Sequence, residues 1–181
     1  MAPALFTTFN SPIGRCAVIW RAGLIARVLL PAAGGEDIVA LILRAFPGAA
    51  EGAPRGAIRN TIDGIAALCS GAAHSFENAP LDRTGIEPFA ARVYAVLETV
   101  GFGETTTYGA IAGALEDKSL ARAVGAALGA NPFPIIIPCH RVTAAGGGMG
   151  GFSAPGGAAT KRKLLEIEGA FAAERLPLFA R

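Results

Sequence analysis

Residues 107–131 read TYGAIAGALEDKSLARAVGAALGAN, and the organisation of the chain follows from how this stretch is taken. Thr107 is a residue type that caps a helix by accepting an orphan backbone N–H, so a short helix is predicted from there through Leu115. Residues 116–118 form a turn. Ser119 is a second candidate cap, opening a helix that runs to Gly129. Asn131-Pro132 ends it, because the residue before proline avoids the helical region. Two short helices on a tight turn read as a helix-turn-helix. The second is slim: Ala121, Ala123, Gly125, Ala126 and Ala127 leave Arg122 as its one long polar side chain.

Upstream, Phe89, Val93, Val96, Leu97 and Val100 recur at helical spacing until Gly101-Phe102-Gly103 stops them. Residues 81–85 are the candidate linker. Before it the pattern is that of a sheet. Residues 5–9 are β-prone and end at the turn signal Asn10-Ser11-Pro12, while 15–20 and 24–30 form a hairpin about Ala22-Gly23. The pattern breaks over 31–35. Residues 37–46 then read as a helix with Ile38, Leu41, Ile42 and Ala45 on its apolar face. Residues 47–59 read as loop, 61–69 as a helix or helical turn, and 74–81 as a short return to the sheet. Downstream, 135–138 is extended and 146–157 is a glycine-rich loop. Residues 161–169 form a helix with Leu164, Leu165 and Ile167 apolar. The expected fold class is α/β in the α+β sense. A small, mainly antiparallel sheet unit (1–83) precedes a helical, winged-helix-like unit (84–181).

The 181 residues are 52% hydrophobic and 17% charged, which excludes disorder as the main state. Net charge is +2, and beyond Arg83 nine Lys/Arg face eight Asp/Glu, so a nucleic-acid footprint would have to be local. Cys16, Cys69 and Cys139 make an odd count without a secretory leader, which argues against a disulfide framework and for a reducing, cytoplasmic setting. No apolar run approaches the roughly 20 residues of a membrane helix, so no membrane partner is expected. Cys16, Cys69 and His74 have no recognisable zinc spacing, so no metal is expected. Gly146 to Gly151 fits a G-x-G-x-x-G pattern but has no flanking strand and helix, and is set aside as a nucleotide site.

Chemistry concentrates at Pro138-Cys139-His140-Arg141-Val142. A thiol must ionise to attack carbon, and its ordinary pKa is about 8.5. A neighbouring base lowers that barrier. His140 is adjacent, but successive side chains on an extended segment point to opposite faces, so it reaches Cys139 only at a bend or through a water. Glu168 could orient the imidazole. Arg141, Lys161, Arg162 and Lys163 are either phosphate contacts or an ordinary solvated face.

Several stretches, in order and spacing, resemble the O6-alkylguanine-DNA alkyltransferase (methylated-DNA–protein-cysteine methyltransferase) family. They are Thr107-Tyr108-Gly109, Arg122-Ala123-Val124-Gly125, Asn131-Pro132, Ile137 through Val142, Gly150-Gly151-Phe152-Ser153, Lys163-Leu164-Leu165 and Glu168-Gly169. Ser11-Pro12-Ile13-Gly14 resembles the family's N-terminal part. The resemblance implies single-turnover transfer of an alkyl group from O6-alkylguanine, and from O4-alkylthymine, to Cys139. His140 would act as base through a water with Glu168 behind it, and Asn131 would tie the recognition helix to the active-site segment. Tyr108 would crowd the target phosphate and donate to guanine N3, and the Ser153 amide would donate to O6. The Cys139 and Val142 carbonyls would accept from the exocyclic amine. Pro134, Leu128 and Phe152 would complete the base pocket. Arg122 would be the finger that fills the space of the flipped nucleotide, with Ala121, Ala123 and Gly125 around it at the DNA. The implied partner is double-stranded DNA, bound through the minor groove by a monomer with no cofactor. The slimness of the helix fits this, since a major-groove reader presents several base-contacting polar side chains and this helix has almost none, implying little sequence preference.

The sequence departs from the family in three places. Phe152 stands where many relatives carry tyrosine, the loop over 154–157 is slightly long, and Leu120 is larger than the residue often preceding the finger. Two other readings compete. A lesion binder without transfer would lack the cysteine, and a cysteine hydrolase using Cys139 and His140 would turn over without needing Arg122 or Tyr108.

Overall fold

The computed structural model describes residues 2–31, 34 and 36–171. Of the break expected over 31–35, Pro31 and Gly34 are among these, and the expected second unit is described as far as Phe171. The N-terminal half is a four-stranded sheet in the order β3-β2-β1-β4. Strand β1 (Leu5–Ser11) turns at Pro12-Ile13 into β2 (Gly14–Arg21), antiparallel from Leu5↔Trp20 to Ser11↔Gly14. The first turn therefore lies two residues beyond the expected Asn10. Strand β3 (Leu24–Leu29) follows across Ala22-Gly23, both with positive φ (48° and 81°), as a two-residue turn matched to strand twist requires. A fourth strand, β4 (Ala50–Glu51), pairs parallel to β1 inside the segment expected to be loop.

Strand β2 is buried on both faces. Ala17 and Ile19 meet α1 (Ile38–Ala45) through Ile38 and Ile42, and Asp37 caps α1 by accepting from Val39 N at 3.0 Å. Cys16, Val18 and Trp20 face α2 (Gly56–Cys69), which starts five residues before the predicted position. The return over 74–81 touches the sheet only at its end, where Leu81 bridges Ile25 and Asp82 N donates to Ile25 O. This pins the candidate linker to the edge of β3.

Helix α3 (Pro88–Leu97) leads to α4 (Tyr108–Ala114), capped as expected by Thr107, whose hydroxyl accepts from Ala110 N at 3.1 Å. A 3-10 turn over Lys118–Leu120 joins α4 to α5 (Ala121–Gly129). The cap expected of Ser119 belongs instead to Asp117, which accepts from both the amide and the hydroxyl of Ser119. A carboxylate two residues earlier outcompetes the serine because it accepts both donors at once. Short parallel strands β5 (Thr106–Thr107) and β6 (Val142–Thr143) tie the start of α4 to the segment carrying Cys139. Helix α6 (Gly157–Ile167) closes the described chain. One cluster of buried side chains runs from Val18 and Trp20 through Val93, Leu97 and Phe133 to Leu164, so both halves share a core.

Candidate active site

The segment 135–138, expected to be extended, is a tight turn. Pro134 bridges Ile137, and Ile135 between them has φ 75°, a left-handed backbone that a β-branched residue rarely adopts. Asn131, directly after α5, holds the turn: Nδ2 donates to Ile137 O at 2.9 Å and Oδ1 accepts from Phe133 N at 2.9 Å. Cys139–Arg141 then form a 3-10 turn, closed by Arg141 N donating to Pro138 O. The chain bends here rather than running extended, so Cys139 and His140 are not forced onto opposite faces.

His140 is fully buried, and its Nε2 lies 2.8 Å from Glu168 Oε1. Glu168 also accepts from Arg141 Nε at 2.9 Å, Arg141 Nη2 at 3.0 Å and Gly103 N at 3.2 Å. Burial works to raise the Glu168 pKa, but the donors from His140 and Arg141 outweigh it and bring the carboxyl to about 2. An ionised carboxylate only accepts, so His140 Nε2 carries the proton. Nδ1 is left as the basic nitrogen, buried and without a protein partner. Burial also lowers the His140 pKa, with the charges of Arg141 and Lys161 adding to it against the pull of Glu168. The imidazole is therefore neutral near pH 7 and able to take a proton.

Cys139 is 8% exposed. Burial pushes its thiol pKa up, and the Asn131 amide and the charge of Lys161 pull it back. A cavity of about 400 Å³ opens onto it, lined by Tyr108, Ala121, Arg122, Gly125, Leu128, Gly129, Gly151, Phe152 and Ser153. The structure thus gathers most of the residues singled out in the sequence around one thiol. Arg122 is exposed at the rim, whereas Ala123 lies off the cavity wall, and Pro134 and Val142 are buried behind it. The Tyr108 hydroxyl donates to Gly151 O at 3.2 Å, and Ser153 Oγ donates to Gly129 O at 2.9 Å. A larger cavity of about 600 Å³ lies behind the Ile135–Arg141 segment and does not include Cys139, so the chemistry belongs to the smaller one.

Two expectations need correction. Arg141 and Lys161 are neither phosphate contacts nor a solvated face. Arg141 is buried, bound to Glu168 and to Val100 O at 2.6 Å. Lys161 is fully buried, its Nζ donating to Val142 O at 2.5 Å and Gly151 O at 3.0 Å. Lys163 Nζ donates to Pro12 O, and Arg162 is exposed. Sequence reading also missed Tyr94, buried in α3, whose hydroxyl donates to Ala127 O in the last turn of α5 at 2.8 Å. Its position on the apolar stripe of α3 concealed a polar task. In the N-terminal half, Cys16 lies 3.5 Å from Ser11 Oγ, and burial pushes the Cys16 and Cys69 thiols up to about 11 and about 12. His74 packs edge-on against Phe76, and among the described residues no three His, Cys, Asp or Glu cluster as a metal site would require. No helix among them is long and apolar enough to cross a membrane.

A thiol at the floor of an open cavity, with a neutral imidazole fixed by a carboxylate beside it, defines a nucleophilic-cysteine protein. Residues 88–170 match the family model described as 6-O-methylguanine DNA methyltransferase, DNA binding domain. The methylated-DNA–protein-cysteine methyltransferase of Mycobacterium tuberculosis is 42% identical over 124 residues, 68% of this chain and 73% of that protein. A protein of Thermus thermophilus named DNA base-flipping protein is 41% identical over 108 residues, 60% of this chain and 71% of that protein. The crystal structure of Mycobacterium tuberculosis OGT in complex with DNA superposes with a TM-score of 0.73 at 32% identity, covering 92% of this chain and 93% of that one. The chain belongs to the 6-O-methylguanine DNA methyltransferase family.

Proposed function

We propose that this protein repairs alkylated DNA by direct reversal, passing one alkyl group from guanine O6, or from thymine O4, to Cys139 Sγ. The observation that carries this reading is the bare Nδ1 of His140, set by Glu168 on the opposite nitrogen and next in sequence to a thiol at the floor of a base-sized cavity. The thiol proton passes to Nδ1 through a water. Sulfur attacks the alkyl carbon, the carbon–oxygen bond breaks, and its electron pair stays on the base, which takes up the proton. Tyr108 at N3 and the Ser153 amide at O6 stabilise the charge developing there, while the Cys139 and Val142 carbonyls accept from the exocyclic amine. The product is a thioether, and nothing in this scheme removes the alkyl group from it, so each molecule acts once. The scheme draws on no cofactor.

The lesion lies in a duplex, so the nucleotide must be flipped out at a cost of a few kcal/mol. Arg122, exposed at the cavity rim on the slim α5, enters the stack in its place. Helices α4 and α5 act as a helix-turn-helix whose second member lies in the minor groove, with Ala121, Ala123 and Gly125 allowing close approach and little sequence preference. Residues 84–181 carry this work as a monomer inside the cell, and 1–83 form an α/β unit that shares a buried core with them.

Intact mass after mixing with a duplex holding one O6-methylguanine tests the reading, with Cys139→Ser alongside. One methyl on the wild type and none on the variant is expected. Tight lesion binding with no mass change would establish a binder instead, and turnover on an ester or amide would establish a hydrolase.

A further inference from the structure

One buried polar group has no part in the transfer scheme. Tyr94 lies on the inner face of α3 with Val93 and Leu97, 1% exposed, among core side chains. A phenylalanine would fill that place with the same ring. A buried hydroxyl is costly unless it is bonded, so its presence there calls for a partner. The partner is Ala127 O, in the last turn of α5, which accepts from the Tyr94 hydroxyl at 2.8 Å. Burial pushes the phenol up to about 12, so the donor keeps its proton across the neutral range.

The last carbonyls of a helix have no partner within it. At the end of α5 three successive ones are taken by groups outside the helix. Ala127 O accepts from Tyr94, Leu128 O from Asn131 N at 3.2 Å, and Gly129 O from Ser153 Oγ at 2.9 Å. Asn131 holds the turn before Cys139 through Ile137 O, and Ser153 belongs to the pocket loop. Leu128 and Gly129 themselves line the cavity that opens onto Cys139. Among the described residues the other donor to Ala127 O is Ala130 N, at 3.2 Å and shared with Ala126 O. The Tyr94 bond is the shortest of the set. It also comes from α3, outside the α4–α5 pair, so it fixes this turn against the core rather than against its own neighbours.

We propose that Tyr94 is a positioning residue for the transfer step, holding Ala127 O so that the last turn of α5 sets the Leu128–Gly129 wall of the pocket at its working distance from Cys139. This rests on the alkyl-acceptor reading of Cys139. Attack needs the alkyl carbon about 3–3.5 Å from sulfur, and a base held against that wall inherits any slip in it. Without the hydroxyl the end of α5 rests on its longer bonds. The base is then misplaced, while the thiol, His140 and Glu168 keep their own contacts. Arg122 lies at the opposite end of α5, so capture of DNA is left as it was.

Tyr94→Phe in the full-length protein is the test, since it keeps the ring and its packing and removes the donor alone. Methyl uptake is followed by mass in single turnovers over a range of concentrations of a duplex holding one O6-methylguanine. The maximal rate should fall about fivefold, the worth of one ordinary hydrogen bond, with the half-saturating concentration unmoved. Uptake from free O6-benzylguanine should fall by a similar factor. Iodoacetamide, which alkylates Cys139 without filling the base pocket, should react at the wild-type rate. A lower Tm with all three rates unchanged would overturn the proposal and leave Tyr94 a structural residue. A loss shared equally by iodoacetamide would overturn it by placing the damage at the thiol, and a loss confined to the half-saturating concentration by placing it in DNA capture. If the wild type itself takes no methyl from DNA, the substrate reading falls and the proposal with it, whereas equal uptake by both proteins removes the Tyr94 role alone.

Discussion

Replacing Glu168 by glutamine should cost about 3 kcal/mol at neutral pH, and the cost should fade in acid. In the wild type, Oε1 accepts from His140 Nε2 and Arg141 Nη2, and Oε2 from Arg141 Nε and Gly103 N. All four positions around the carboxylate hold donors. A glutamine turns one oxygen into a donor, leaves at least one of these groups facing it, and strands the buried Arg141 charge. A carboxyl held at about 2 instead of 4.5 contributes on the order of 3 kcal/mol, at about 1.36 kcal/mol per pH unit. Breaking a buried ion pair from one side costs about 3–5 kcal/mol, which agrees. In a chain of this size the loss is roughly 6–12 °C in Tm. The sign of the pH dependence follows from the depressed folded-state pKa. The stabilisation is complete above about pH 4.5 and is lost as pH falls toward 2, where the wild-type carboxyl also becomes neutral. Urea unfolding of both proteins at pH 7 and at steps below about pH 4.5 measures the gap, which should shrink to less than half by about pH 3. A gap below about 1 kcal/mol at pH 7, or one that stays constant through acid, would refute the assignment of Glu168 as the ionised hub of the site.

Arg122→Ala should slow methyl uptake from duplex DNA by about tenfold or more, given the few kcal/mol needed to extrude a base, and change reaction with free O6-benzylguanine far less; equal losses in the two rate assays would remove the finger role. Gly150→Ala should cost about 1–2 kcal/mol in urea unfolding, because Gly150 has φ +70°, and should slow reaction even with the free base, because the new Cβ would meet the Tyr108 ring at 3.0 Å. Tyr94→Phe should cost about 1 kcal/mol by leaving Ala127 O without its side-chain donor, measured as a small drop in Tm; an unchanged Tm would mean that the bond contributes nothing.

Much of the fold was legible where local chemistry is self-contained. Thr107 caps α4 because its hydroxyl needs only an amide three residues away, and Ala22-Gly23 turns the hairpin because glycine tolerates positive φ. The failures share the opposite character. Strand β4 has two residues, Ala50 and Glu51, and exists because the edge of β1 offers it a ladder, so no period within 47–59 could announce it. The three isoleucines at 135–137 have the composition of a strand, and the Asn131 side chain holds them in a turn from outside that segment. At the site, Cys139, His140 and Glu168 were legible as residue types. Their roles became specific only when the tautomer was fixed, and that required the position of a carboxylate 28 residues away.

Arg141 and Lys161 show why the electrostatics were the least legible part. A charged residue read in isolation is assigned to solvent or to a phosphate, since burial without a partner is rare. Both are buried, and each solves that problem differently. Arg141 spends its charge on Glu168, so it fixes the neutral tautomer of His140 at second hand and adds little net field at the thiol. Lys161 has only carbonyls as hydrogen-bond partners among the described residues, so its charge still acts on Cys139. Two cations flanking one Cys-His step thus act on opposite ends of it. One holds the base ready to receive the proton, and the charge of the other opposes the cost of ionising a buried thiol. A buried thiol whose own burial raises its pKa reacts near neutral pH only if both ends are served, and on this ground loss of either cation should slow transfer through a different pH dependence.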